Sequence, residues 1–150
     1  MALQHDEIMI TGMLHATFLT GDLDRSRAFY EGVLGLHTDH KRPQMDYDGV
    51  WYDVAPNQQI HLMLLPDPEA GLQRPAHLQG VRRGDKELKP QQHTQHGGRD
   101  RHVALAVSDM ARLIERLDRA GIVYTRSQSG RGAVFCRDPD GNALEFIASN

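Results

Sequence analysis

The chain has 150 residues, a formal net charge of −3 and one cysteine. This length suits a single domain that buries roughly two thirds of its unfolded surface without disulfides. The small negative charge offers no positive field for nucleic acid, and no apolar stretch approaches the ~20 residues of a bilayer span. The first residues also lack a secretory signal pattern. We therefore expect a cytoplasmic protein with no nucleic-acid or membrane partner, in which Cys136 is buried and inert.

The first half of the chain predicts a strand, a helix and three further extended segments. Residues 13–20 (MLHATFLT) are typical of a strand between two glycines. Asp22 is a suitable helix cap, and apolar residues then recur at helical spacing until Gly35, a typical helix terminator. Extended segments are predicted near 36–41, 47–54 and 59–65, of which the last two contain the runs VWYDV and IHLMLL.

The second half repeats this pattern. HVALAV, beginning at His102, predicts a strand, Ser108 or Asp109 a cap, and the apolar residues from Met110 onward a helix that ends at Gly121. Extended segments near 122–126 and 132–137, the turn DPDGN and the strand ALEFIA complete it. Each half is thus predicted to be a β-α-β-β-β module, module one spanning about 12–65 and module two about 99–149.

The stretch 66–98 between the modules is polar and rich in proline and glycine. Loops beyond roughly 12 to 15 residues are uncommon in compact domains, and those that occur tend to be functional or disordered. Both a lid over a site and a passive linker fit this stretch. Its histidines, His77, His93 and His96, are interpreted as solvated side chains rather than metal ligands.

Four potential metal ligands occupy corresponding places in the two modules. His15 and His102 each lie in a first strand, seven residues before the aspartate that precedes the helix. His61 and Glu145 lie in the last strands. Three imidazoles with one carboxylate suit divalent Zn, Ni, Co, Mn or Fe.

Strand parity gives these four side chains a common orientation. Side chains alternate between the two faces of a strand, so His15 points away from Leu14 and Ala16, and His102 shares its face with small alanines. Glu145 points away from its apolar neighbours, and His61 does the same. The apolar faces are predicted to pack on the helices, and the opposite faces would meet around a metal if the two sheets curl toward each other.

These features resemble the vicinal oxygen chelate superfamily, which includes glyoxalase I, bleomycin-resistance and fosfomycin-resistance proteins, and extradiol dioxygenases. The most specific pieces are the helix DLDRSRAFYEGVLGL and the ending RDPDGNALEF, and the likeness covers residues 14–148. It implies an α+β fold in which two βαβββ modules form a cupped half-barrel of mixed sheet with helices outside. It also implies a homodimer, and a divalent metal held by the ligand set His15, His61, His102 and Glu145.

The resemblance implies several functions. The first is a metal-dependent glyoxalase-like lyase or isomerase, in which Glu145 and His61 move a proton next to a carbonyl and the metal stabilises an enediolate. His61 occupies a place where glyoxalase I enzymes carry a carboxylate or glutamine, so it is either a ligand or an acid/base group. An Fe(II)-dependent extradiol-type dioxygenase using His15, His102 and Glu145 is an alternative, as is a non-catalytic small-molecule binding or resistance protein.

Three arginines in or next to module two are candidate substrate-binding residues. Arg99 and Arg101 lie just before a ligand strand, and Arg131 lies between two glycines. A small-molecule substrate with an anionic group would need such partners. Solvated loop arginines are the other interpretation of the same residues.

Overall fold

A computed structural model of the chain describes residues 9–66 and 96–149. Its first half forms a four-stranded mixed sheet in the order β1-β4-β3-β2. β1 runs parallel to β4, and the other two pairs are antiparallel. The strands are β1 (His15–Thr20), β2 (His37–Thr38), β3 (Gly49–Ala55) and β4 (Gln58–Leu64).

The second half repeats the topology in the order β5-β8-β7-β6. Here β5 is parallel to β8, and the remaining pairs are antiparallel. The strands are β5 (His102–Val107), β6 (Tyr124–Arg126), β7 (Val134–Arg137) and β8 (Ala143–Ala148). The predicted α+β class with two βαβββ modules is confirmed.

Each helix begins where its cap predicts. In α1 (Leu23–Arg27) the Asp22 carboxylate accepts from the Arg25 amide, and in α2 (Met110–Arg119) the Asp109 carboxylate accepts from the Arg112 amide. These bonds satisfy amides that have no partner within the helix. After α1 the chain continues as a π-helix, Ala28–Val33. Within the described ranges no helix is long and apolar enough to cross a membrane.

One hydrophobic core contains residues of both modules. It lies on the face of each sheet opposite the predicted ligands, as strand parity predicts. Cys136 lies in this core, as predicted. Burial raises the pKa of its thiol to about 12, with a further contribution from the charge of Asp138, so the thiol is protonated and unreactive at neutral pH. The fully buried side chains at its centre include Tyr30, Tyr52, Ile60, Leu62, Leu117 and Leu144.

The turn DPDGN fastens module two to module one. Asp140 accepts from the Gly21 amide at 2.9 Å and from the Ser26 hydroxyl at 3.0 Å. Asp138 accepts from the Tyr30 hydroxyl at 2.7 Å. Both carboxylates therefore accept hydrogen bonds from residues of module one. This motif near the end of the chain has a structural role, because it holds the two modules together.

Candidate metal centre

The strand registers place the four predicted ligands at equivalent points of the two modules. His15 pairs with Gln59 across β1 and β4, and His61 lies two residues further along β4. His102 pairs with Ala143 across β5 and β8, and Glu145 lies two residues further along β8. Because side chains two residues apart share a face, each histidine and its counterpart project from the same side of their sheet.

The pair in module two is a histidine and a buried carboxylate in direct contact. Glu145 Oε2 lies 3.0 Å from His102 Nε2, and the glutamate is 6% exposed. Its other oxygen, Oε1, is buried and has no hydrogen-bond partner among the described residues. An unpartnered buried carboxylate oxygen is costly unless a cation or another donor binds it.

The tautomer of His102 follows from its second contact. Nδ1 lies 2.8 Å from the carbonyl oxygen of Asp100, which can only accept, so Nδ1 carries a proton. In the neutral ring the Nε2 lone pair then faces the Glu145 carboxylate. Two acceptors at this separation require a cation or a proton between them, and a backbone carbonyl bonded to the outer nitrogen is a typical second partner of a metal-binding histidine. This donor set fits a divalent metal.

A short segment roofs this pair. The 3-10 turn Gly97–Arg99 packs on β7 and β8, and a Cβ on Gly97 would come within 2.7 Å of the Ala143 Cβ. Phe135 lies edge-on to the His102 ring, with the centroids 5.5 Å apart. Ala143 and Glu145 share one face of β8, and Phe135 pairs with Glu145, so the turn and this aromatic ring lie on the sheet face that carries the pair.

The interpretation of His96 as a solvated side chain is wrong. The residue is half-buried, its Nδ1 lies 2.6 Å from the Thr125 hydroxyl, and its ring packs against Phe135 at 4.8 Å between centroids. No sequence pattern indicated the partial burial of His96, because the residue ends a polar stretch without periodicity. His77 and His93, with most of the predicted lid or linker, lie outside the described residues.

The pair in module one is a ring stack. His61 is sandwiched between Trp51, with centroids 4.3 Å apart and planes at 5°, and His15, with centroids 4.0 Å apart and planes at 13°. The pKa of His61 is lowered by burial, and further by the positive charges of His15 and Arg42. His61 is therefore a neutral ring at neutral pH.

This stack limits how the two histidines can bind one ion. A metal binds an imidazole nitrogen in the plane of the ring. The planes of His15 and His61 are nearly parallel and separated by a stacking distance, so they share no point within coordination range. At most one of the two rings can ligate a given ion in this arrangement, and ligation by both requires one ring to turn.

A cavity of about 610 Å³ opens beside the stack. That volume lies within the range of small-molecule sites. Both histidines of module one line it, and the remaining wall is mainly apolar or aromatic, including Met45, Tyr47, Trp51 and Met63. A ligand in this cavity would contact the ring stack directly.

A single chain brings the four predicted ligands together as two pairs. Across residues 9–66 and 96–149, no three His, Cys, Asp or Glu side chains lie close enough to one another to hold an ion. His15 and Thr17 of β1 are exposed, as are Ala104 and Ala106 of β5. The ligand-bearing faces of both sheets are therefore open at their first strands.

The predicted substrate-binding arginines lie on the surface. Arg99, Arg101 and Arg131 are all exposed, and Arg131 Nε donates to the Ser129 hydroxyl at 3.2 Å. A further arginine, Arg42, differs from these three because it is half-buried and donates to the Tyr47 carbonyl at 2.9 Å. Its guanidinium has no carboxylate partner in the part of the chain that the structure describes. No sequence signal distinguished it from other loop cations.

Comparison with known proteins places these features in a family. The chain is 25% identical over 142 residues to Glyoxylase I 4 of Arabidopsis thaliana, covering 91% of this chain and 70% of that protein. It is 28% identical over 141 residues to Lactoylglutathione lyase GLX1 of the same plant, but spans only 43% of that protein's length.

Solved structures share the fold. A fosfomycin resistance protein from Listeria monocytogenes, solved with Mn(II) and a dihydroxypropylphosphonic acid, has a TM-score of 0.63 at 16% identity, and the match covers 95% of each chain. The family model for the Glyoxalase/Bleomycin resistance protein/Dioxygenase superfamily matches residues 12–146. The chain belongs to this superfamily, as the paired βαβββ modules and the resemblance of its motifs predicted.

Proposed function

We propose that the protein is a metal-dependent lyase or isomerase of the glyoxalase type. The observation that carries this proposal is the His102 and Glu145 pair, in which one carboxylate oxygen faces an imidazole lone pair and the other is buried without a partner. A buried, incompletely bonded carboxylate is a suitable ligand, and a suitable base for removing a proton next to a carbonyl. The names of the two plant relatives support the same chemistry.

The proposed metal is a divalent ion bound by His102 and Glu145 together with histidine from module one. When bound, such an ion acts as a Lewis acid toward negative charge that develops on substrate oxygens. Nitrogen and carboxylate donors suit Zn, Ni, Co, Mn or Fe, and the Listeria protein was solved with Mn(II). In this scheme Glu145 accepts the proton, and neutral His61 is the second proton carrier, or a fourth ligand if one ring of the stack turns.

The ring stack favours a second candidate function. If His15 is the one histidine of module one that binds the ion, the ligand set is His15, His102 and Glu145. Two histidines and one carboxylate are the ligands of non-haem Fe(II) oxygenases. An extradiol-type dioxygenase would consume oxygen with a catechol, so full turnover without oxygen would exclude it.

We propose further that the complete site is formed between two copies of the chain. Each chain holds two ligand pairs that do not meet within it, and the first strand of each sheet exposes its ligand-bearing face. A twofold-symmetric dimer could place module one of one copy against module two of the other and so create two equivalent sites. The site would then require the partner copy.

Mixed dimers test this arrangement without knowledge of the substrate. His15→Ala and Glu145→Ala chains, carrying different affinity tags, are coexpressed and purified through both tags. A site shared between chains gives one intact site in each mixed dimer, so we expect about one bound ion per dimer and about half of wild-type activity. A site within each chain leaves every site damaged, and mixed dimers with no bound metal would refute the shared site.

Turnover of candidate substrates is measured with protein that contains the metal found in the native preparation. Three test substrates separate the possible reactions: a hemithioacetal for a lyase, an acyl-CoA epimer for an isomerase, and a catechol under oxygen for a dioxygenase. Arg99, Arg101 and Arg131 remain predicted contacts for an anionic group, and Arg42 joins them because it is half-buried without a carboxylate partner among the described residues. Charge-neutral variants that raise KM more than they lower kcat would identify which of them bind substrate.

A further inference from the structure

The Gln59 side chain joins two carboxylates to the stacked histidine of module one. Its amide nitrogen donates to Asp39 Oδ2 at 2.8 Å and to Asp53 Oδ1 at 2.9 Å. Its amide oxygen lies 2.9 Å from His61 Nε2. The three groups come from β3, β4 and the segment after β2, so the arrangement depends on the fold of the whole module.

The two carboxylates determine which way the amide points. An ionised carboxylate can only accept hydrogen bonds, and a glutamine amide has its two donors on nitrogen. Turning the amide over would place its oxygen against two other acceptors and leave both carboxylates without their donor. The pKa of Asp39 is lowered by a hydrogen bond from the Lys41 amide and by Gln59 itself, which keeps this acceptor ionised. The oxygen of Gln59 must therefore face His61.

The direction of the amide in turn determines the protonation of the ring. An amide oxygen accepts, so the His61 nitrogen facing it has to donate. We propose that Asp39, Asp53 and Gln59 form a positioning relay that fixes His61 as the Nε2–H tautomer and holds its edge, leaving Nδ1 as the nitrogen that can bind metal or accept a proton. Trp51 and His15 hold the two faces of the same ring. The ring is thus fixed in position and in tautomer.

Only the consequence for metal and substrate rests on the proposed function. The tautomer belongs to the metal-free protein and is measured there, so its failure and the failure of the enzymatic proposal are distinguishable. If the relay is correct, any ligation by His61 occurs through Nδ1. Since Nε2 is committed to Gln59, ligation through Nε2 would require the relay to break.

The test is side-chain NMR of ¹³C,¹⁵N-labelled, chelator-treated protein at about pH 8, above the usual histidine pKa. The His61 signals are assigned from their loss in His61→Gln. We expect a proton on Nε2 that exchanges slowly with water and shows scalar coupling across the hydrogen bond to the Gln59 side-chain carbonyl. In Gln59→Leu the coupling disappears and exchange of the Nε2 proton becomes about tenfold faster, since its acceptor is gone.

Two further variants separate the relay from a general structural effect. Gln58→Leu makes the same change one residue earlier, at an exposed position, and should leave the His61 signals unchanged. The double variant Asp39→Ala/Asp53→Ala keeps Gln59 but releases its amide, so exchange of the Nε2 proton should also accelerate. This second variant carries the test if Gln59→Leu does not fold.

Two results would overturn the proposal. One is a wild-type His61 protonated on Nδ1 with a free Nε2. The other is a slowly exchanging Nε2 proton that is unaffected by loss of Gln59 or of its two carboxylate partners.

Discussion

The two modules use the same strand positions to build different local environments. In module two, His102 meets a buried carboxylate at 3.0 Å, under a roof formed by the turn Gly97–Arg99 and beside Phe135. In module one, the equivalent residues His15 and His61 stack face to face, and a cavity of about 610 Å³ opens beside them. One half is closed and charged, whereas the other is open and aromatic.

If both halves belong to one site, as proposed, the repeated fold divides the work of that site between them. A carboxylate in a covered pocket supplies charge to bind a cation and a base to accept a proton. Stacked imidazole rings beside an open cavity supply nitrogen donors and a surface for an organic ligand. Neither half is complete alone, which agrees with the proposal that the halves meet between two chains.

The largest effect should come from changing the acidic half at Glu145. Glu145→Gln keeps the size of the side chain but removes its charge, and we expect activity to fall by about 10²–10⁴-fold together with metal affinity. Turnover and metal content after dialysis measure the two effects. Glu115→Gln is the matched control, because Glu115 is exposed and pairs with Arg119 on the helix surface. Unchanged turnover in Glu145→Gln would remove this residue as base and as essential ligand.

The next effect concerns the roof of module two, the turn Gly97–Arg99. In Gly97→Ala the new methyl group would meet the Ala143 Cβ at 2.7 Å, so the turn has to lift from the sheet. We expect a loss of about 1–3 kcal/mol in the free energy of unfolding, measured by urea denaturation. Gly32→Ala, where a Cβ meets nothing within 4 Å, should not destabilise the protein. Equal stability of the two variants would show that the roof is not closely packed.

The sequence predicted the features that the two modules share. The period of two along a strand fixed which residues face the core, and the equal spacing of His15 and His102 from their helix caps identified the repeat. Both depend on local pattern alone, so they could be found without the structure. The capping aspartates and the glycines that end the helices were found for the same reason.

The differences between the modules were not predictable, because they depend on contacts between distant segments. The Trp51 and His61 stack requires the register of β3 against β4, and the bond of Gln59 to Asp39 requires the position of a loop. The roof comes from a stretch without periodicity, in which the pair Gly97 and Gly98 favours a turn but does not show where that turn packs. Chain spacing identifies equivalent positions in the two modules, but it does not show what surrounds them.

The contact between the modules should give a smaller effect. Tyr30→Phe removes the hydroxyl that donates to Asp138 at 2.7 Å inside the core. Asp138 keeps the donors of Asn142 and the Asp140 amide, so we expect a loss of about 1–2 kcal/mol rather than unfolding. Thermal or urea denaturation measures it. Tyr47→Phe is the control, since the Tyr47 hydroxyl has no hydrogen-bond partner among the described residues. An equal loss of stability in both variants would show that the bond from Tyr30 to Asp138 does not stabilise the protein.

The smallest effect is spectroscopic, and it tests whether the two halves serve the same ion. Trp51 is the only tryptophan of the chain, and it stacks on His61. If a metal is bound by histidine of module one together with His102 and Glu145, adding Zn²⁺ to chelator-treated protein will change the environment of the stack and hence the fluorescence of Trp51. Loss of this response in Glu145→Ala, a residue of the other module, would link the halves through one ion. A full response in that variant would mean that module one binds zinc without module two, and that the open and the closed halves are separate sites.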